Sequence, residues 1–241
     1  MQSGLYVSLS GQIALQRRLE TIADNVANAS TVGFRAEQVK FETVLSQVPL
    51  EPVAFASTGE TYISRSSGEF VRTDNPLDVA IEGNAWLAID TPAGRVYTRD
   101  GRLRINQAGE LQTLIGHQVL DAGGAPILLD PNAGPPRIAR DGTITQGDQQ
   151  IGAIGLFHID ERAVLTRYEN SGVMSDRPAE PILDFVRAGM SQGYIERANV
   201  NPVLEMSRLI MLSRSFDSVT NAINETNASL QEAVRTLGSP S

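Results

Sequence analysis

The chain has 241 residues, 41% of them hydrophobic, enough for one ordinary domain with a real core and something extra. Its net charge of −8 and pI near 4.8 exclude phosphate-backbone binding as the main task. The absence of cysteine removes disulfides, thiolate catalysis and cysteine-based zinc sites together. It fits a cytosolic protein and equally one exported with no need of oxidative folding.

The N-terminus, "MQSGLYVSLSGQIALQRRLE", lacks a basic start followed by an apolar core, so no cleavable signal peptide is expected. Leu5, Leu15, Leu19, Ile22 and Val26 share a 4-3 seam, which predicts an amphipathic helix whose second half is the more apolar. It should stop in "NASTVGF", where Gly33 suits a helix C-terminus. Residues 42–75 are rich in Ser, Thr and Gly with little period, and read as an extended connector that packs on something else.

From about 76 to 190 the period changes. "WLAID", "RVYTRD", "RLRIN" and "IGLFHID" are short alternating or β-branched runs, punctuated by turn signals such as Asp100-Gly101 and Asp141-Gly142. They predict a central antiparallel β domain. The last segment, 191–241, holds "ANVNPVLEMSRLIMLSRSFDSVTNAINE". Leu209, Phe216, Ile223, Leu230 and Leu237 recur there every seven residues, with Leu212, Val219, Thr226 and Ala233 three residues later. Asn201-Pro202 suits an N-cap followed by Pro at the first helical position. From there to Gly238 a helix would extend roughly 55 Å at about 1.5 Å per residue. The fold class is therefore α+β, with long helices at both ends of the chain, 1–41 and 191–241, around the β domain. An exposed seam is a hazard to a monomer. Periodicity leaves two ways to hide it open, a helical hairpin within one subunit or an assembly surface.

No enzyme is expected. His117 and His158 lie on separate strand-like segments with no carboxylate cluster of metal-ligand spacing. Asp78, Glu82 and Asp90 are spaced as solvent-side charges, and no phosphate loop, nucleophile elbow or H-E-x-x-H appears. No cofactor or metal is called for. The N-x-S/T triplets at Asn28, Asn224 and Asn227 fall on helices or helix ends and read as chance matches.

Four blocks in order carry a resemblance. "IADNVANASTVGFRAEQVKFE" is similar to the N-terminal signature of flagellar rod and hook proteins at Asn25, Ala27, Asn28, Thr31, Gly33 and Phe34, with Arg35 where Lys is usual. "SGEFVRTDNPLDVAIEGNAWLAI" resembles the family's PLDVAI block, with Asn84-Ala85 and Trp86-Leu87 in place of an Asp-Gly-Phe-Phe run. "YTRDGRLRINQAGELQT" and "GYIERANVNPVLEMSRLI" resemble the two remaining blocks, the latter through Asn199 and Asn201. The chain is identified as a member of the flagellar basal-body rod family, most like its proximal-rod type; the distal-rod type is the alternative within the family. Outside it, the rivals are a soluble coiled-coil dimer with a β binding domain and an enzyme with its site in 125–188.

The resemblance implies a structural subunit that polymerises into the hollow drive shaft crossing the periplasm from motor to hook. It implies export by the flagellar type III apparatus, other rod proteins as partners, and no nucleic acid or membrane insertion. It further implies that the terminal helices pair as a coiled coil. Leu15, Leu19, Ile22 and Val26 would then face Leu209, Leu212, Phe216, Val219, Ile223 and Leu230.

Overall fold

The computed structural model describes residues 2–40, 43–45, 54–56 and 59–237. The architecture is α+β, and the chain divides into two compact units. One, of residues 1–27, 37–62 and 201–241, is built on two helices, α1 (Gln2–Ala27) and α2 (Pro202–Leu237). The helices pack along each other, and Gln12 Nε2 donates to Thr220 Oγ1 at 3.1 Å. Neither contains a proline after its first residue, so each backbone ladder runs unbroken. The strands Thr43–Leu45 and Ala54–Ala56 pair antiparallel, the second of them packing on α1, and Glu37–Lys40 pairs with Glu60–Ile63. Much of the expected connector 42–75 is thus strand; 46–53 falls outside the described residues.

The heptad pattern of α2 appears as burial. Leu209, Leu212, Phe216, Val219 and Ile223 are each half-buried, while almost every residue between them is exposed. Thr226, the next companion position, is exposed, and the side chain of Leu230 lies outside the described part. On α1, Ile22 is buried and Leu15, Leu19 and Val26 are half-buried. A second set of apolar side chains stays in water: Leu9 and Ile13 on α1, and Val203, Leu204, Met206, Ile210 and Met211 on α2.

The other unit, Asn28–Ala36 with Ile63–Val200, is the β domain. Among the described residues its main sheet has nine strands, all antiparallel. It runs from Leu165–Tyr168 through Gly172–Ser175, Gly94–Thr98, Trp86–Thr91, Gln118–Val119 and Leu111–Thr113 to Leu103–Ile105. Leu156–His158 also pairs with Trp86–Thr91 and carries Glu180–Pro181 on its other side.

"WLAI" reads as a continuous apolar run because the sheet is covered on both faces. Leu87 and Ile89 enter one core with Val96, Leu111 and Leu156, while Trp86 and Ala88 enter a second with Tyr97, Phe157 and Val173. A three-stranded sheet, Arg137–Ile138, Thr143–Gln146 and Gln149–Ala153, contributes Ile138 and Ile144 to the first core. Two short pairs finish the unit: Val79–Glu82 with Gly189–Gln192, and Phe70–Arg72 with Tyr194–Glu196. The second of these positions Glu196.

Candidate functional site

Residues 28–36 are a short loop in sequence, yet they are built into the β domain. α1 ends at Ala27, six residues before Gly33, so Gly33 is not the helix cap its position suggested. Its φ of +71° serves a different purpose. A Cβ at Gly33 would lie 2.2 Å from the Asp100 backbone nitrogen and 2.4 Å from the Arg99 carbonyl carbon. Only a residue without a side chain lets the two backbones come this close.

The loop is held by residues from the far end of the chain. The Gly33 N–H donates to the Glu196 carbonyl at 2.8 Å, and the Asn199 N–H donates to the Phe34 carbonyl at 3.3 Å. Asn199 Oδ1 accepts from the Ala36 N–H at 2.6 Å, while its Nδ2 donates to Ser66 O at 2.8 Å and Ser64 Oγ at 3.2 Å. One amide side chain therefore ties three segments together. Phe34 is buried, with the Arg167 guanidinium 4.4 Å above its ring.

Arg35 points into a buried charge cluster. Its Nη2 lies 2.8 Å from Glu196 Oε1, Arg99 Nε lies 2.8 Å from Glu196 Oε2, and all three side chains are 1–2% exposed. Glu196 Oε1 also accepts the Gly68 N–H at 2.8 Å. Arg99 spends its remaining donors on the carbonyls of Ile81, Gly83 and Ala85, and Arg35 donates to Ser66 O. Both guanidiniums lie against Trp86, with centroid distances of 5.9 and 6.0 Å.

Burial, and then the neighbouring Arg99 charge, push the Arg35 guanidinium down to about 10, with Glu196 opposing both. Arg99 is lowered by burial against the same carboxylate. A pKa of about 10 keeps Arg35 charged at neutral pH, so the cluster holds two cations around one anion.

Each of the four resemblance blocks contributes one member: Arg35, Trp86, Arg99 and Glu196. The two most visible departures from the family pattern, Arg35 and Trp86, touch each other. This convergence matches what comparison with known proteins finds. The N-terminal residues 5–35 match the model for flagella basal body rod protein. Residues 80–146 match that for the flagellar hook protein FlgE/F/G D1 domain, and 191–236 that for the flagellar basal body rod FlgEFG protein C-terminal region. A flagellar basal-body rod protein FlgF of Mesorhizobium japonicum is 54% identical over the whole of both chains. The chain belongs to the flagellar basal-body rod protein family, FlgF type. A Rhizobium meliloti FlgF is 48% identical over 99% of each chain. The FlgG of Bacillus subtilis is 30% identical over 97% of this chain and 98% of its own. This is a structural family and not an enzyme family.

The remaining motif residues of this FlgF-type chain have local structural tasks. Asn25, buried in the helical unit, accepts the Glu37 N–H and donates to the Glu37 carbonyl, both at 2.8 Å, as a pairing strand would. Thr31 Oγ1 reaches Asn28 Oδ1 at 3.2 Å and its N–H reaches the Asn28 carbonyl, which tightens the turn after α1. Ala27 closes that helix and is exposed. Asn201 Oδ1 accepts the Leu204 N–H at 3.1 Å, the N-cap that Asn-Pro implies.

Asp78 requires a correction, since it is buried rather than solvent-facing and accepts from Asn75 Nδ2 at 3.0 Å. Its backbone pairs with Arg102 and accepts the Gly193 N–H, so two distant segments meet it, a tertiary effect that spacing does not encode. His117 sits 3.4 Å from Glu169, while His158 faces the Asn84 carbonyl elsewhere. Sequence reasoning missed Arg99 and Glu196. Each sits among other charges, Arg99 beside Asp100 and Glu196 beside Arg197, so no local signal sets it apart.

Proposed function

We propose that this chain is a subunit of the proximal rod, polymerising with itself and neighbouring rod proteins into the hollow shaft that carries torque from motor to hook. The paired helices carry the reading. In α2 the heptad positions from Leu209 to Ile223 are half-buried, while Val203, Met206 and Ile210 remain exposed on the same helix. The first face pairs with α1 as a coiled coil, Leu15, Leu19, Ile22 and Val26 meeting Leu209, Leu212, Phe216, Val219, Ile223 and Leu230. The second covers its apolar surface against other subunits. Fully burying one such side chain stabilises by roughly 1.5–3 kcal/mol, so the exposed set drives association. Identical head-to-tail contacts do not close, and they generate a helical tube.

The subunit works in the basal body, in the periplasmic part of the rod, and reaches it through the flagellar type III apparatus. The similarity to FlgF relatives over full length, against 30% to a FlgG, supports the proximal position over the distal one.

A blot of purified hook–basal bodies tests the assignment, using intact particles and particles from a strain lacking the distal rod protein. Presence in both is expected, and loss from the second preparation would move the subunit distally. Phe216→Asp tests the mechanism. It should abolish incorporation while the β domain keeps its near-ultraviolet signature, and intact rods containing that variant would refute the helix seam.

A further inference from the structure

Arg99 is anchored within the β domain by the carbonyls of Ile81, Gly83 and Ala85, independently of either chain end. Glu196 reaches it on a strand paired with Phe70–Arg72 and also accepts the Gly68 N–H, so it has two partners without Arg35. Arg35 lacks that independence. Apart from Glu196, its side chain has, among the described residues, the Ser66 carbonyl and the Trp86 ring, and it must enter a desolvated site beside a fixed Arg99. The backbone follows the same rule, since Gly33, Phe34 and Ala36 bond to Glu196 and Asn199. Other contacts need nothing from 196–199, among them the Ser64 N–H to the Ala36 carbonyl, Arg167 to Phe34 and the Arg35 carbonyl, and the Gly33 backbone against Asp100, but none of these brings an anion to Arg35.

We propose that Glu196 is the keystone of a one-way latch, docking on Arg99 first and only then admitting the N-terminal loop 28–36. Before Glu196 arrives, the loop would bring a second cation into a buried site that already holds one, with no anion between them. Like charges in a desolvated site repel, and breaking a buried ion pair leaves a charge uncompensated. The loop that follows α1 in sequence is therefore seated only on chains that contain, and have folded, their last strand before α2. An incomplete chain cannot set it. The latch rests on contacts within the β domain alone and stands whatever the subunit's position in the rod.

Hydrogen exchange on the full chain, followed by mass spectrometry and amide NMR, separates the two steps. The Gly68 and Arg197 amides report the Glu196 strand, and the Gly33 and Ala36 amides report the loop. In Arg35→Met the first pair should keep its protection while the second exchanges on the order of a hundredfold faster. In Glu196→Gln the loop amides should be released in the same way, and adding Arg35→Met to that variant should raise its unfolding midpoint by removing the uncompensated cation. Pulse labelling during refolding of the wild-type chain should protect Gly68 before Gly33. Should Glu196→Gln fail to fold, Arg35→Met and the refolding order still decide. Equal release of both pairs in Arg35→Met, or protection of Gly33 no later than Gly68, would overturn the latch.

Discussion

Gly33→Ala is the sharpest single perturbation of the seated loop 28–36, because the structure supplies its own control. At φ +71° any side chain incurs the left-handed strain, about 1–2 kcal/mol. The new Cβ would also lie 2.2 Å from the Asp100 nitrogen, and backbone on a buried strand end cannot swing aside as a flexible side chain can. The loop must then lift. Lifting breaks the Gly33–Glu196 hydrogen bond, worth about 0.5–1.5 kcal/mol net. It also returns Val32 and Phe34, 7% and 3% exposed, towards water at about 1.5–3 kcal/mol each. Strain and the lost bond alone come to about 1.5–3.5 kcal/mol, and partial exposure of the two side chains brings the loss to about 4 kcal/mol. At about 2–4 °C per kcal/mol for this chain length, Tm should fall by roughly 8–16 °C.

Gly94→Ala is the control. Its φ is +97° and a Cβ there meets nothing within 4 Å, so it carries strain without collision and should cost only about 1–2 kcal/mol. Circular dichroism gives both melts, and emission from Trp86, the chain's single tryptophan, reports the cluster directly. Equal melting temperatures for the two variants would refute the close seating of the loop against Arg99 and Asp100.

Asn25→Ala removes both bonds to the Glu37 backbone and leaves its polar groups without these partners, so the urea midpoint should fall by the equivalent of about 2–3 kcal/mol. Asn201→Ala should cost about 1 kcal/mol, visible as faster exchange of the Leu204 amide while the middle of α2 is unchanged. The Thr143 N–H holds the Asp141 carboxyl below its ordinary value. Because the folded pKa is depressed, the stabilisation is complete above the unfolded pKa and is lost as pH falls through the folded one. A carboxyl carbon NMR titration should place the Asp141 midpoint below that of the denatured chain, and a midpoint at or above it would remove that contribution.

Local pattern carried the elements well. The seven-residue spacing of Leu209, Phe216 and Ile223 reappears as half-burial at those positions, because a helix face is written directly in its period. Asn201-Pro202 foretold a cap whose whole geometry lies within four residues. Gly33 shows where this kind of reading ends. Its need for a positive φ was legible, but the reason sits at Asp100, far along the chain. Arg99 and Glu196 were invisible for the same cause. A buried charge looks like a surface charge until its partners are known, and those partners are spread from Arg35 to Glu196. The resemblance quoted all four blocks without revealing that they meet.

Why charges hold this loop, rather than one more leucine, follows from what each contact tolerates. An apolar plug accepts any neighbour of about the right volume, and its energy falls gradually as the fit loosens. A carboxylate shared by two guanidiniums and a backbone N–H is favourable only when every partner is in place, since each missing one leaves a desolvated charge. The cluster is a poor source of net stability and a strong penalty on partial formation. That penalty separates a seated loop from a nearly seated one. Replacing Arg35, Glu196 and Arg99 together by apolar residues of similar volume removes the charges but also takes their partners from the carbonyls of Ile81, Gly83, Ala85 and Ser66 and from the Gly68 N–H, so Tm should fall by the cost of those groups. The selective release of the loop amides expected in Arg35→Met should disappear in that background. A triple variant that keeps the selective release would mean that the charges do not set the penalty.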